Sequence, residues 1–137
     1  MDTIQANRKI INSIVKDYGF KTVRSSYFAL RLLLRQITYS KDAGPIVWTW
    51  RMLHELGHLE LTAEKERTHI NTLKRLSKLH LGYKKTPAFY RDFIEAERKA
   101  WKRGILIAER EGISINVSKY EKHATSCINE HLEFLKK

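Results

Sequence analysis

Cysteine is nearly absent: Cys127 is the only one in 137 residues, which excludes an intrachain disulfide and agrees with a reducing compartment. Nothing around it marks an activated nucleophile, so it reads as a small buried residue or an idle thiol. Long apolar runs are missing as well, and no window reaches the ~18 residues of a membrane span. The residues from Met1 to Arg8 lack the basic region and apolar stretch of a signal peptide. The expectation is a cytoplasmic protein with no membrane partner. No G-x-x-x-x-G-K-[ST], G-x-G-x-x-G or G-x-S-x-G segment occurs, which leaves nucleotide hydrolysis and serine esterase chemistry without support. Acidic residues are scarce: 15 Asp and Glu stand against 26 Lys and Arg, a net charge of +11. That excess favours acidic partners, either nucleic acid or an acidic protein surface. It is spread along the chain, at Arg31/Arg35, Lys74/Arg75/Lys78, Lys84/Lys85 and Arg98/Lys99/Lys102/Arg103. Such spacing reads first as solvated helix faces and second as nucleic-acid contact.

What is present suffices for a core. The length fits one domain over residues 1–137, and 42% hydrophobic residues is ordinary for a globular chain. Ile4, Ile11, Ile14 and Val15 repeat at helical spacing over 3–17, with Gly19 beyond. Residues 20–39 alternate with period two in Phe20–Arg24, Leu30–Leu32 and Gln36–Tyr39, which favours a small sheet; a short helix begun at Ser25 or Ser26 is the alternative. Lys41–Pro45 reads as a loop, with Pro45 suited to a first helical turn. Residues 46–61 are apolar on two sides, the mark of a buried helix. Residues 63–81 read as an amphipathic helix through Ile70, Leu73 and Leu76, closed by Gly82. A linker from Tyr83 to Pro87 leads to a helix over 88–111, ended by Gly112. A last helix over 117–136 turns Tyr120, Ala124, Cys127, Ile128, Leu132 and Leu135 inward. The fold class expected is α+β, mostly α, with the small sheet beside the helix at 46–61.

That buried helix carries His54-Glu55-Leu56-Gly57-His58, an H-E-x-x-H pattern. Residues four apart sit one turn apart on the same face, so two imidazoles can point at one metal ion. Glu55 is rotated by about 100° from His54, where it can face a water beside the metal. A metal acidifies such a water, and the carboxylate accepts its proton. Gly57 lets another backbone come close. Two histidines on an apolar face need partners, which a metal supplies.

A catalytic zinc site takes a third protein ligand. On the helix over 88–111, setting Glu97 at zero places Tyr90, Phe93, Ile94, Trp101, Ile105 and Ala108 within about 80° of it. Glu97 is thus a carboxylate in the middle of an apolar stripe. Glu95 falls on the opposite side, among Arg91, Arg98 and Lys102. The candidate ligands are His54, His58 and Glu97, with Glu95 and then Asp92 as alternatives. Zinc suits this set, though manganese, iron or nickel would fit two histidines and a carboxylate.

The H-E-L-G-H segment followed by Glu95-Ala96-Glu97-Arg98-Lys99-Ala100-Trp101 resembles the zincin metallopeptidases, in particular the ImmA/IrrE-like family common in phages and mobile elements. The resemblance spans about residues 1–110 and includes the order of leading helix, small sheet, H-E-x-x-H helix and glutamate-bearing helix. It implies a zincin-like fold, Glu55 as general base, and a protein substrate such as a repressor or another regulatory protein. Two features depart from the pattern. The next histidine after the motif is His69, farther on than in many members. Position 99 is Lys and 101 is Trp, where some gluzincins carry an acidic residue four after the third ligand.

The oxyanion-stabilising group is open among Tyr39, His80 and Tyr83. Trp48 and Trp50 read as core anchors of the active helix. His123 and His131, eight apart, read as ordinary helix residues, and His69 and His80 read with equal ease as surface ones. The function expected is zinc-dependent cleavage of a protein or peptide. The alternative is a basic module binding nucleic acid or an acidic protein, with a structural metal.

Overall fold

A computed structural model describes residues 2–82 and 84–137, without the side chains of Ser77 and His80. The chain is mostly helical, with a small three-stranded sheet, as its periodicities predict. Helix α1 (Thr3–Asp17) starts where the Asp2 side chain accepts from the Gln5 N–H at 2.8 Å, and buries Ile11, Ile14 and Val15. The chain leaves it through Gly19, at a φ of 77°. Asn7 is buried in α1, where it bonds both backbone groups of Ser114, at 3.0 and 3.2 Å, and ties the first helix to a distant loop.

Strands β1 (Lys21–Ser25), β2 (Ala29–Arg31) and β3 (Gln36–Ser40) form the sheet in the order β1-β3-β2. β1 runs parallel to β3, with Lys21 opposite Gln36, and β2 runs antiparallel, with Leu30 opposite Ile37. A helix from Ser25 or Ser26 does not form, because Ser25 still pairs with Ser40. The alternation through Leu32 ends one residue early. Leu32–Arg35 make the reversal, with Leu33 fully exposed and Arg35 at a φ of 52°.

Helix α2 (Pro45–Ala63) opens with Pro45 in its first turn, and every residue from Met52 to Leu61 is buried. It has no free face because α1, β2, β3, α3 and α4 all pack on it. The expected helix over 63–81 is corrected. The chain leaves α2 at Ala63, turns through Lys65 at a φ of 58° and restarts as α3 (Arg67–Ser77). Glu66 causes the restart, accepting from the His69 N–H at 2.6 Å. A short 3-10 turn (Leu79–Leu81) follows, closed by Gly82 at a φ of 87°. Among the described side chains of α3, His69 and Thr72 are buried, whereas Ile70, Leu73 and Leu76 are half-buried.

Thr86 caps α4 (Pro87–Glu111), accepting from the Phe89 N–H at 3.1 Å, and Gly112 ends it at a φ of 71°. Helix α5 (Val117–Leu135) buries Tyr120, Ala124, Ile128 and Leu135, with Cys127 and Leu132 half-buried, and packs along α4. The most extensive helix contact joins α2 to α4. It is close because a Cβ on Gly57 would stand 2.1 Å from the Ala100 carbonyl oxygen. No described helix is long and apolar enough to cross a membrane.

Candidate metal centre

His54 and His58 sit one turn apart in the middle of α2, their ring centroids 4.5 Å apart. The Gly57–Ala100 crossing brings the middle of α4 against that turn, and Glu97 lies three residues before Ala100. His54 Nε2 is 2.7 Å from Glu97 Oε2 and 2.9 Å from His58 Nε2. His58 Nε2 is 3.3 Å from the other Glu97 oxygen. The three side chains are all buried, and among the described residues they form the one group of its kind able to hold a metal ion.

Tyr90, Ile94 and Ile105 are only half-buried, and the inner face of α4 is displaced toward Ala96, Ala100 and Gly104, whose small side chains admit α2. Glu97 remains inside that face, 7% exposed. Both alternatives are engaged elsewhere: exposed Glu95 lies 3.3 Å from Lys99, and Asp92 lies 2.6 Å from Arg75.

Lone-pair atoms at these distances repel one another unless a proton or a cation lies between them. Without a metal, the cluster holds a proton. Burial alone would lower the His54 imidazole, but the charges of Glu97 and Glu55 outweigh it and raise its pKa to about 9. Burial acts upward on Glu97, and the two histidines overcome it, leaving this carboxyl well below the usual range. Glu55 is likewise lowered, its burial outweighed by His54.

Glu55 is buried beside the cluster, with Oε1 3.4 Å from His54 Nδ1. That nitrogen has no hydrogen-bond partner among the described residues. Trp101 stacks on the His54 ring at 4.2 Å and 10°, and its own carbonyl accepts from the buried Tyr120 hydroxyl at 2.5 Å. The ring plane of His54 is therefore fixed by packing from α4.

His69 was expected at the surface. It is 1% exposed, and its Nε2 lies 2.9 Å from His58 Nδ1. The spacing 58–69 carries no helical signal, because a turn intervenes. The available hint was that an amphipathic reading of 67–77 puts His69 beside Thr72 and Leu76. Burial, then the His58 charge, lowers its pKa to about 4, so the ring is neutral.

The other candidates are placed elsewhere or not described. Tyr39 stands edge-on to Trp48 at 6.2 Å. Tyr83 and the His80 side chain lie outside the described residues. Of the two tryptophans, Trp48 is buried, while Trp50 is half-buried with its ring 5.3 Å from His123. His123 Nε2 is 3.4 Å from Cys127 Sγ, which also accepts from Arg51 Nη1 at 3.1 Å. Burial raises the Cys127 thiol pKa, in keeping with an unreactive cysteine. Several of the basic residues are paired internally. Glu60, buried at the far end of α2, is held by Arg103 and Arg110 at 3.1 and 2.8 Å. Comparison with family models, with curated proteins and with solved structures finds no match.

Proposed function

We propose that this chain is a zinc-dependent peptidase of zincin-like fold acting on a protein substrate. The observation that carries the reading is the buried convergence of His54, His58 and Glu97 with a second carboxylate, Glu55, beside the first histidine. The donor set fits zinc. Ligands about 2.0–2.1 Å from a tetrahedral ion stand roughly 3.3 Å apart, and here the two Nε2 atoms are 2.9 Å apart, with one Glu97 oxygen 2.7 Å from His54 and the other 3.3 Å from His58. Bound zinc supplies a Lewis acid that polarises a carbonyl and makes water a nucleophile at neutral pH.

The chain's own residues supply the rest. His54 and His58 present Nε2 to the site, and Glu97 brings a negative charge that offsets part of the cation's. Glu55 is ionised, adjacent and not itself one of the converging ligands, so it can take the proton from the attacking water and later give it to the leaving amine. Trp101 keeps the His54 ring from swinging out of place. The family resemblance of the two motif segments supports a regulatory protein as the substrate class.

Glu55→Gln is the test. The variant should keep stoichiometric zinc by elemental analysis while hydrolysis of a quenched-fluorescent peptide library falls at least ~100-fold. Loss of zinc together with activity would make Glu55 a ligand and overturn its role as base.

A further inference from the structure

A ligand histidine has two nitrogens, and the one away from the metal decides which nitrogen carries the proton. In metal sites that outer partner is commonly a carboxylate, a backbone carbonyl or water. On His58 Nδ1 the described residues place neither a carboxylate nor a backbone carbonyl. That nitrogen faces His69 Nε2 at 2.9 Å, and both rings are buried. His69 comes from a different helix, and its position is set by Glu66, which caps α3 through the His69 backbone N–H. His69 Nδ1 is buried and has no hydrogen-bond partner among the described residues.

The short contact holds one proton between the two nitrogens, and with one proton on each ring two arrangements place it there. In one, His58 Nδ1–H donates to His69 Nε2, His69 carries its own proton on Nδ1, and His58 Nε2 is left with a free lone pair toward His54 and Glu97. In the other, His69 Nε2–H donates to His58 Nδ1, and the His58 proton sits on Nε2, inside the cluster. The first arrangement binds a cation and the second blocks it.

Resting on the metal reading above, we infer that His69 is the positioning residue for His58: as acceptor on His58 Nδ1, it selects the tautomer that ligates metal. The pair works as a two-position device. Between the two positions the shared proton passes from His69 Nε2 to His58 Nδ1, the His58 Nε2 proton is released and His69 Nδ1 takes one up, so each ring keeps a single proton. The arrangement also explains why so polar a side chain is buried on the inner face of α3 beside Thr72.

The test compares wild-type, His69→Leu and His69→Gln proteins by zinc competition against a chromophoric chelator, with thermal melts of the metal-free forms as the control for folding. His69→Leu removes the acceptor and should weaken zinc about 10–100-fold. His69→Gln, whose amide oxygen can stand where Nε2 stood, should recover most of that loss. Equal zinc affinity in wild type and His69→Leu overturns the inference while leaving the metal site intact. Failure of the wild type to bind zinc overturns the metal reading, and the inference with it. Should His69→Leu not fold, imidazole nitrogen NMR of the zinc-loaded wild type decides. A proton on His58 Nδ1 and none on His69 Nε2 supports the inference, and a proton on His69 Nε2 overturns it.

Discussion

Glu95 and Glu97 differ by two positions, and this small offset separates a solvent-facing ion pair from a candidate ligand. Glu97→Gln should therefore reduce zinc affinity at least ~10-fold in a chelator competition, whereas Glu95→Gln should leave it unchanged, because Glu95 is exposed and pairs with Lys99. An equal loss in both would remove Glu97 from the ligand set. Proton competition gives a second expectation. In the metal-free fold, Glu97 and Glu55 outweigh burial and raise His54 to about 9, so zinc must displace a proton at neutral pH. Zinc affinity should rise about tenfold per pH unit up to that value and then level off, with proton release measurable by calorimetry in buffers of different ionisation enthalpy. The same pair governs the stability of the metal-free form. The His54 contribution is complete below its ordinary value of 6.5 and drains away as pH rises through about 9. The Glu97 contribution is present above the ordinary 4.5 and is lost at lower pH as that carboxyl protonates. At this scale the motif and Glu97 were legible, because helical phase is a local property. His69 was not, since its partner lies across a turn with no periodic relation to it.

The meeting of α2 and α4 depends on an absent side chain. Alanine in place of glycine normally stabilises a helix by about 1 kcal/mol. At position 57 the sign should reverse, because the new Cβ would meet the Ala100 carbonyl oxygen at 2.1 Å and force the helices apart. Gly57→Ala should cost about 1–3 kcal/mol in urea denaturation. It should also weaken zinc, since the separation carries Glu97 away from His54 and His58. A stabilised variant with normal zinc affinity would refute the crossing. Element types were readable where the chain punctuates itself, as Pro45, Thr86-Pro87 and Gly112 do for α2 and α4. The break between α2 and α3 was readable, but near residue 62 and so a few residues early, because Lys65 takes up the left-handed turn without glycine and Glu66 caps α3 from a position no simple pattern marks. The strand order was also beyond the alternation pattern: period two tells which residues share a face, not which strand becomes central.

Across the whole molecule, the proposed centre joins the two helices that form the largest internal contact, so occupancy of three side chains should be felt as global stability. Arg103 and Arg110 converge on Glu60, and Arg75 on Asp92, so these three cations are paired within the fold while the net surplus of +11 is unchanged. A ligand that binds only the folded chain stabilises it by RT ln(1 + [L]/Kd), about 2.7 kcal/mol at a hundredfold excess over Kd. For a chain of this size that corresponds to a rise in melting temperature of roughly 10 °C. Differential scanning calorimetry with and without zinc should show this increase, and His54→Ala should abolish it. The variant's metal-free melt then separates the two roles of the residue. If metal-free wild type and His54→Ala unfold close together while only the wild type responds to zinc, the cluster acts through the metal. If His54→Ala is already lower by several degrees without zinc, the His54–Glu97 ion pair is itself a structural bond between α2 and α4.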